Sequence, residues 1–280
     1  MKVKKTGIIL VAILFVGVCV LLYPSFSQYW NARTQSRAVE NYQEILDSLS
    51  SEDCQEIFDQ AAAYNAKLEQ SDSPLLNKPF TEEYHNALNT GGSGIMGYVT
   101  IAKIGVELPI YHGTSNEVLN NACGHLEGTS LPIGGPGTHS VLSAHRGLPH
   151  AKLFTSLDQL EQGDTFTVTV LNRTVTYMVD QIKIIRPDQT SDLDIVTGED
   201  YCTLLTCTPY GINSHRLLVR GTRIENAKPI MYITSDAFKI DSLVATPIVA
   251  APILLALLIV LMVKYRDKGS KPILEKEEDQ

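Results

Sequence analysis

Positive charge is in short supply in this chain. Across 280 residues, 23 lysines and arginines face 31 aspartates and glutamates, for a formal charge of −8. No basic stripe gathers the cations, and both facts argue against nucleic acid as a partner. Metal chemistry is equally poorly supplied. The five cysteines include no Cys-x-x-Cys pair, and no carboxylate cluster has metal-ligand spacing, so no metal and no cofactor are expected. Cys19 lies in an apolar segment, while Cys54, Cys123 and Cys202 read as structural thiols, a disulfide between two of them remaining open. The length suits one sizeable domain plus appendages. Apolar residues make up 44% of the chain, an ordinary share, but they crowd towards the two ends.

At the first end, Lys2, Lys4 and Lys5 precede an uncharged run at 7–23. A basic flank before an apolar core reads as an export signal or a signal anchor. Its length is near the lower limit of about 17 residues for a membrane span. The sequence after it, Val-Leu-Leu-Tyr-Pro-Ser-Phe-Ser, lacks a small-x-small cleavage pattern, which favours retention. A second uncharged run at 243–263 is long enough to span, and its Pro247 and Pro252 are tolerated in membrane helices. Lys264, Arg266 and Lys268 follow closely and place that end in the cytoplasm. Both termini then face inward, and everything between lies outside the cell membrane. The last residues, 264–280, form a charged, solvated tail.

Between the apolar runs the pattern changes twice. Residues 25–70 read as two helices: Val39, Tyr42, Ile45, Leu46 and Leu49 recur at helical spacing, as do Ile57, Phe58, Ala61, Tyr64 and Leu68. Ser50 or Ser51, ahead of Glu52 and Asp53, marks the start of the second. Residues 71–94 hold Pro74, Pro79, Gly91, Gly92 and Gly94 with little periodicity, and read as a long loop, either a lid or a linker. From 95 to 240 short strands are separated by Gly, Pro and Asn turns, at 98–101, 106–111, 140–144, 166–171 and 175–185, with a short helix within 154–162. The fold expected is mainly β, a closed barrel or a sandwich.

The stretch 201–223 carries the chemistry. Residues 203–207 are β-branched and apolar, Pro209, Gly211 and Asn213 interrupt them, and 216–220 are strand-like again, which makes an antiparallel hairpin with a wide turn. Its geometry sets Cys207 beside Arg216. Arg220 shares Arg216's face but lies roughly 13 Å down the strand. Cys202, five residues from Cys207, points to the other face. A lone cysteine is more often a small buried hydrophobe. Cys207, however, ends a strand beside polar and cationic residues. Of the seven histidines, spacing alone selects none: His85 and His112 lie in or beside loops, and His125 and His139 flank a Gly/Pro-rich segment. His215 alternates with Arg216 and so faces away from it, while His145 closes the 140–144 strand.

The run Thr-Leu-Leu-Thr-Cys-Thr-Pro-Tyr-Gly, with Asn-Ser-His-Arg-Leu-Leu-Val-Arg-Gly after it, resembles the active-site signature of sortases, and most of all the class C, pilus-assembling ones. Ser-Ala-His-Arg-Gly-Leu-Pro resembles the histidine motif of that family, with Ala144 in place of a glycine. The resemblance implies a closed sortase β-barrel with short helices, preceded by N-terminal helices and flanked here by two membrane segments. It assigns Cys207 as nucleophile, His145 as general acid/base and Arg216 as the oxyanion's cation. It also implies cleavage of LPxTG-like sorting signals through a thioester, resolved by a lysine amine of another pilin. No such pentapeptide precedes the second apolar run, so the chain reads as a processor of these signals and not a bearer of one. The family's lid carries an Asp-Pro-aromatic motif whose acid pairs with the arginine. Here the corresponding residues are Lys78, Pro79 and Phe80, which keep the aromatic and lose the acid, and Asp72 could replace it only if the loop took another path. Two other readings stay open: a housekeeping sortase that attaches proteins to cell-wall precursor, and a membrane-tethered scaffold that binds pilins without chemistry.

Overall fold

A computed structural model describes residues 5–78 and 80–226, together with a few isolated positions between 252 and 260. The second apolar run, the charged tail and Pro79 therefore lie wholly or almost wholly outside the described residues. The chain divides into two units, and residues 28–232 form the one that contains the barrel.

The first helix, α1, runs over Lys5–Asp47 without a break. The domain boundary expected at residue 24 falls inside it. Pro24 removes one backbone hydrogen bond and does not end the helix. The helix begins with a stretch long and apolar enough to cross a membrane, and none of that stretch is buried. Helix α2, Ser51–Glu69, starts at Ser50, whose hydroxyl accepts from the Asp53 N–H while the Asp53 carboxylate accepts from the Ser50 N–H, a reciprocal cap. Both helices are tied to the barrel by buried polar side chains. The Tyr42 hydroxyl donates to the Met96 carbonyl (3.0 Å) and accepts from the Leu171 N–H (2.8 Å). The Asn65 amide pairs with both backbone groups of Leu131, at 3.1 and 2.7 Å. Each bond satisfies a backbone group that the barrel would otherwise leave buried and unpaired.

The 71–94 segment is more ordered than a loop: it contains α3 (Pro74–Asn77) and α4 (Thr81–Asn86). Pro74 at the first helical position and Glu82 and Glu83 in the first turn of α4 supply the local reasons.

Eight strands close into a barrel: β1 Ile95–Ile101, β2 Val106–His112, β3 Cys123–His125, β4 Thr138–Ser143, β5 Thr165–Val170, β6 Arg173–Ile185, β7 Asp200–Thr208 and β8 His215–Ile224. Around the barrel they follow the order β1-β2-β3-β4-β7-β8-β6-β5. The pairs β2–β3 and β4–β7 are parallel and the rest antiparallel. Five strands and the hairpin of β7 with β8 lie where alternation predicts them. Strand β3, three residues long, is too short to show alternation. The strictly alternating β5 turns through Leu171 and Asn172 into β6, with Leu171 in the left-handed region at φ 52°. Gly97 lies where β1 presses on β5, so a Cβ there would come within 2.2 Å of the Thr169 carbonyl oxygen. Inside, Met96, Val99, Ile110, Leu142, Phe154, Phe166, Val168, Tyr177, Leu204 and Val219 form one core.

Candidate active site

Strand β7 separates its two cysteines as the five-residue offset requires. Cys202 points into the barrel, fully buried, and burial pushes its thiol well above the ordinary range. Cys207 is on the outer face and half-buried. All five cysteines are free thiols in the structure.

The hairpin ends as its turn residues predict, with Cys207 paired to Arg216 and Thr208 to His215 across β7 and β8. Strand β4 flanks β7 on the other side, parallel, with Ser143 opposite Leu205. Past that pair, the Ala144 N–H donates to the Leu205 carbonyl (3.2 Å), and the Thr206 hydroxyl donates to the Ala144 carbonyl (2.8 Å). The next residues, His145 and Cys207, therefore leave adjoining strands side by side, at a strand spacing of about 4.8 Å. Strand β6 completes the row, with Ile185 opposite Arg216. One line across four strands thus reads Ile185, Arg216, Cys207, His145. The next line down is Lys183, Leu218, Leu205, Ser143, and the one after it Gln181, Arg220, Thr203, Val141.

Electrostatics separate the two arginines. Arg220 is committed to Asp180, with Nε at 3.1 Å from Oδ1 and Nη2 at 2.6 Å from Oδ2, and it lies over the Tyr201 ring at 4.1 Å. Arg216 donates from Nη1 to the carbonyls of Asn213 (3.2 Å) and His215 (3.1 Å). Among the described residues no carboxylate pairs with it, so its charge is free to meet an anion.

The histidines separate in the same way. His125 and His139 are buried, each with both ring nitrogens engaged: His125 by Tyr84 and the Ser130 carbonyl, His139 by the Asp194 carbonyl and Thr203. His112 faces the carbonyls of Gly94 and Ala87. His215 bonds Ser214, next to it in the chain. His145 is half-buried, and among the described residues its ring makes no hydrogen bond. Burial lowers its pKa below the ordinary histidine value, which leaves the ring uncharged at neutral pH. Sequence spacing could not single it out, because the parallel β4–β7 pairing joins residues more than sixty apart.

The residues expected to form a lid take another arrangement from the one the family motif implies. Lys78 is 3.5 Å from Glu127. Phe80 is 39% exposed, with the Lys67 ammonium 5.6 Å from its ring. Asp72 is exposed, gives its carbonyl to the Asn77 amide, and forms no ion pair among the described residues. The residue that reaches the site face is Leu75. It packs with Leu126 and Leu205 against Val141, Ile185, Leu193 and Leu218, the apolar ground bordering Cys207 and Arg216. Gly128 allows this approach, since a Cβ there would fall 2.8 Å from the Leu75 Cα. Spacing had not marked Leu75, which resembles any other leucine in a Pro-rich segment.

A closed barrel of this topology with cysteine, histidine and arginine in one row defines a sortase-type fold. Comparison with known proteins agrees. Residues 99–224 match the family model of the sortase domain. Sortase D of Bacillus subtilis is 30% identical over 131 residues, which is 46% of this chain and 63% of that protein. The chain thus spans less than two thirds of the length of the curated relatives it matches. Solved structures are covered more fully. Sortase C1 of Streptococcus agalactiae is 48% identical with a TM-score of 0.64, over 68% of this chain and 100% of that one. Sortase C of Streptococcus pneumoniae is 45% identical with a TM-score of 0.62, over 69% and 100%. The chain belongs to the sortase family, and these likenesses place it with the class C sortases.

Proposed function

We propose that the protein is a membrane-anchored cysteine transpeptidase that cleaves LPxTG-like sorting signals of pilin subunits and joins them to a lysine amine of another pilin. The observation that carries this is the line Arg216, Cys207, His145 on a half-open face. The S. pneumoniae relative is described in terms of pilin substrate specificity, which supports the pilin part.

The residues divide the work in a balanced sequence. Uncharged His145 takes the Cys207 proton, and the sulfur attacks the carbonyl carbon of the signal's threonine. Charge develops on that carbonyl oxygen, where the Arg216 guanidinium is the available cation. As the C–N bond breaks, the His145 imidazolium protonates the leaving amine and a thioester remains on Cys207. A lysine amine then attacks the thioester. An isopeptide bond forms as the C–S bond breaks, His145 takes the amine's proton and passes it to the departing Cys207 sulfur, and water is the wasteful competitor.

In this reading the 71–94 segment is a lid, with Leu75 occupying apolar ground that the signal's own aliphatic residue would need and Lys78–Glu127 holding the segment down. Both apolar ends anchor the chain, with both termini cytoplasmic and the barrel outside. Purified chain mixed with its pilin should yield a ladder of covalent oligomers, absent with Cys207→Ala. A ladder that persists in that variant removes the mechanism. Thiol-reactive probes address the scaffold reading, which requires an inert Cys207.

A further inference from the structure

The loop that leaves Cys207 and the loop that leaves His145 touch through one side chain. After β7 the chain bends tightly, with the Pro209 carbonyl accepting from the N–H groups of Ile212 (3.1 Å) and Asn213 (2.9 Å). Tyr210 rides on this bend, and its ring is 61% exposed. Yet the ring's edge lies hard against Gly147, two residues past His145. A Cβ at Gly147 would fall 2.9 Å from Tyr210 Cε2 and 3.1 Å from Cζ. The Arg146 guanidinium is 6.0 Å from the centre of the same ring and is held there by Asp158 at 2.5 Å.

We infer that Tyr210 is a positioning residue: its ring clasps the His145 loop to the Cys207 loop and so keeps imidazole and thiol in register. The inference rests on the transpeptidase reading above. Simple core packing does not explain the contact, because a ring so exposed gains little from burial. Two other holds on the histidine loop come from elsewhere. The Phe154 N–H donates to the His145 carbonyl (3.2 Å), and the Gly147 N–H donates to the Thr155 hydroxyl (3.1 Å). Those fix the loop to the following segment, whereas Tyr210 fixes it to the nucleophile's own connection. Proton transfer needs the two groups within hydrogen-bond reach, and a misplacement of about 1 Å costs up to about 100-fold in rate. The ring does this work, and the hydroxyl is dispensable.

The test compares full-length Tyr210→Ala and Tyr210→Phe with the wild type in detergent, using a fluorogenic sorting-signal peptide and thermal unfolding. For Tyr210→Ala we expect kcat to fall about 10- to 100-fold, KM to stay within about 3-fold and the unfolding midpoint to hold, with Tyr210→Phe matching the wild type. The clasp is overturned if Tyr210→Ala keeps kcat within about 2-fold, if the loss falls on KM alone, or if Tyr210→Phe is equally impaired. A wild type that cleaves no peptide sinks the transpeptidase reading instead. The clasp is then judged from the pH dependence of Cys207 alkylation by iodoacetamide: a profile altered in Tyr210→Ala and kept in Tyr210→Phe supports it, and identical profiles overturn it.

Discussion

Cys202 and Cys207 share one strand and almost nothing else. The first faces the barrel interior among Tyr177, Cys123 and Leu204, where a thiolate is strongly disfavoured. The second faces outward, between a guanidinium on one neighbouring strand and the start of the histidine loop on the other. The pleat alone creates this difference, since an odd offset must change faces. The inner face of β4, β7 and β8 is built for packing. The outer face is built around charge at its rim and aliphatic residues below, and the protein covers that aliphatic part with its own Leu75.

The comparison is broken most directly by exchanging roles between the cysteines. Cys207→Ala should abolish peptide cleavage and pilin ladders while leaving thermal stability close to wild type. Cys202→Ala should do the reverse, costing about 1–2 kcal/mol of stability by denaturant titration and leaving kcat intact. The arginines give the next largest contrast. Arg216→Ala should lower kcat about 100- to 1,000-fold, as for a lost oxyanion partner, with little loss of stability. Arg220→Ala should instead strand the partly buried Asp180 carboxylate and lower stability, sparing the chemistry.

Acidity sharpens the contrast in a third way. His125 is fully buried, and burial lowers its pKa to about 4, against about 6.5 in an unfolded chain. Between those values the unfolded chain binds a proton that the folded one refuses. Stability is therefore full above pH 6.5 and declines as pH falls towards 4, by about 3 kcal/mol in total. His139 and His145 are shifted in the same direction by burial and add to the loss. Urea titrations at pH 7 and pH 4.5 measure it, and equal stabilities at both would contradict the buried-neutral assignment. Peptide cleavage should keep an acid limb lying below pH 6.5, where His145 gains its proton. The smallest effect expected is at the 71–94 segment. Leu75→Ser should speed methanethiosulfonate labelling of Cys207 several-fold by removing one aliphatic contact, and an unchanged rate would detach Leu75 from access.

Much of the candidate site's layout was legible in the sequence. Alternation fixed the face of Cys207, and strand rise preferred Arg216 to Arg220, both consequences of local backbone geometry. The histidine was not legible in that way. Its position depends on β4 lying parallel to β7, a pairing across some sixty residues that no local pattern encodes. Family resemblance named it, and hydrogen bonding then distinguished it from the four other histidines whose rings are already engaged. The 71–94 segment was legible as a stretch apart from its neighbours, but the contacts that hold it were not. Lys78 stands where the family motif has an acid, and neither its partner Glu127 nor Leu75 carries a local mark of the contacts they make. Strand β3 escaped notice because three residues are too few for a period of two to show.

The transpeptidase reading requires a sulfur on the outer face of β7 to form a covalent bond to substrate. Incubating the full-length protein with an LPxTG-type peptide, quenching in acid and mapping the adduct by mass tests it most directly. The mass of the acyl fragment ending in threonine should be found on Cys207 and on no other cysteine. An unmodified Cys207 alongside cleaved peptide, or an acyl group on any other residue, would contradict it.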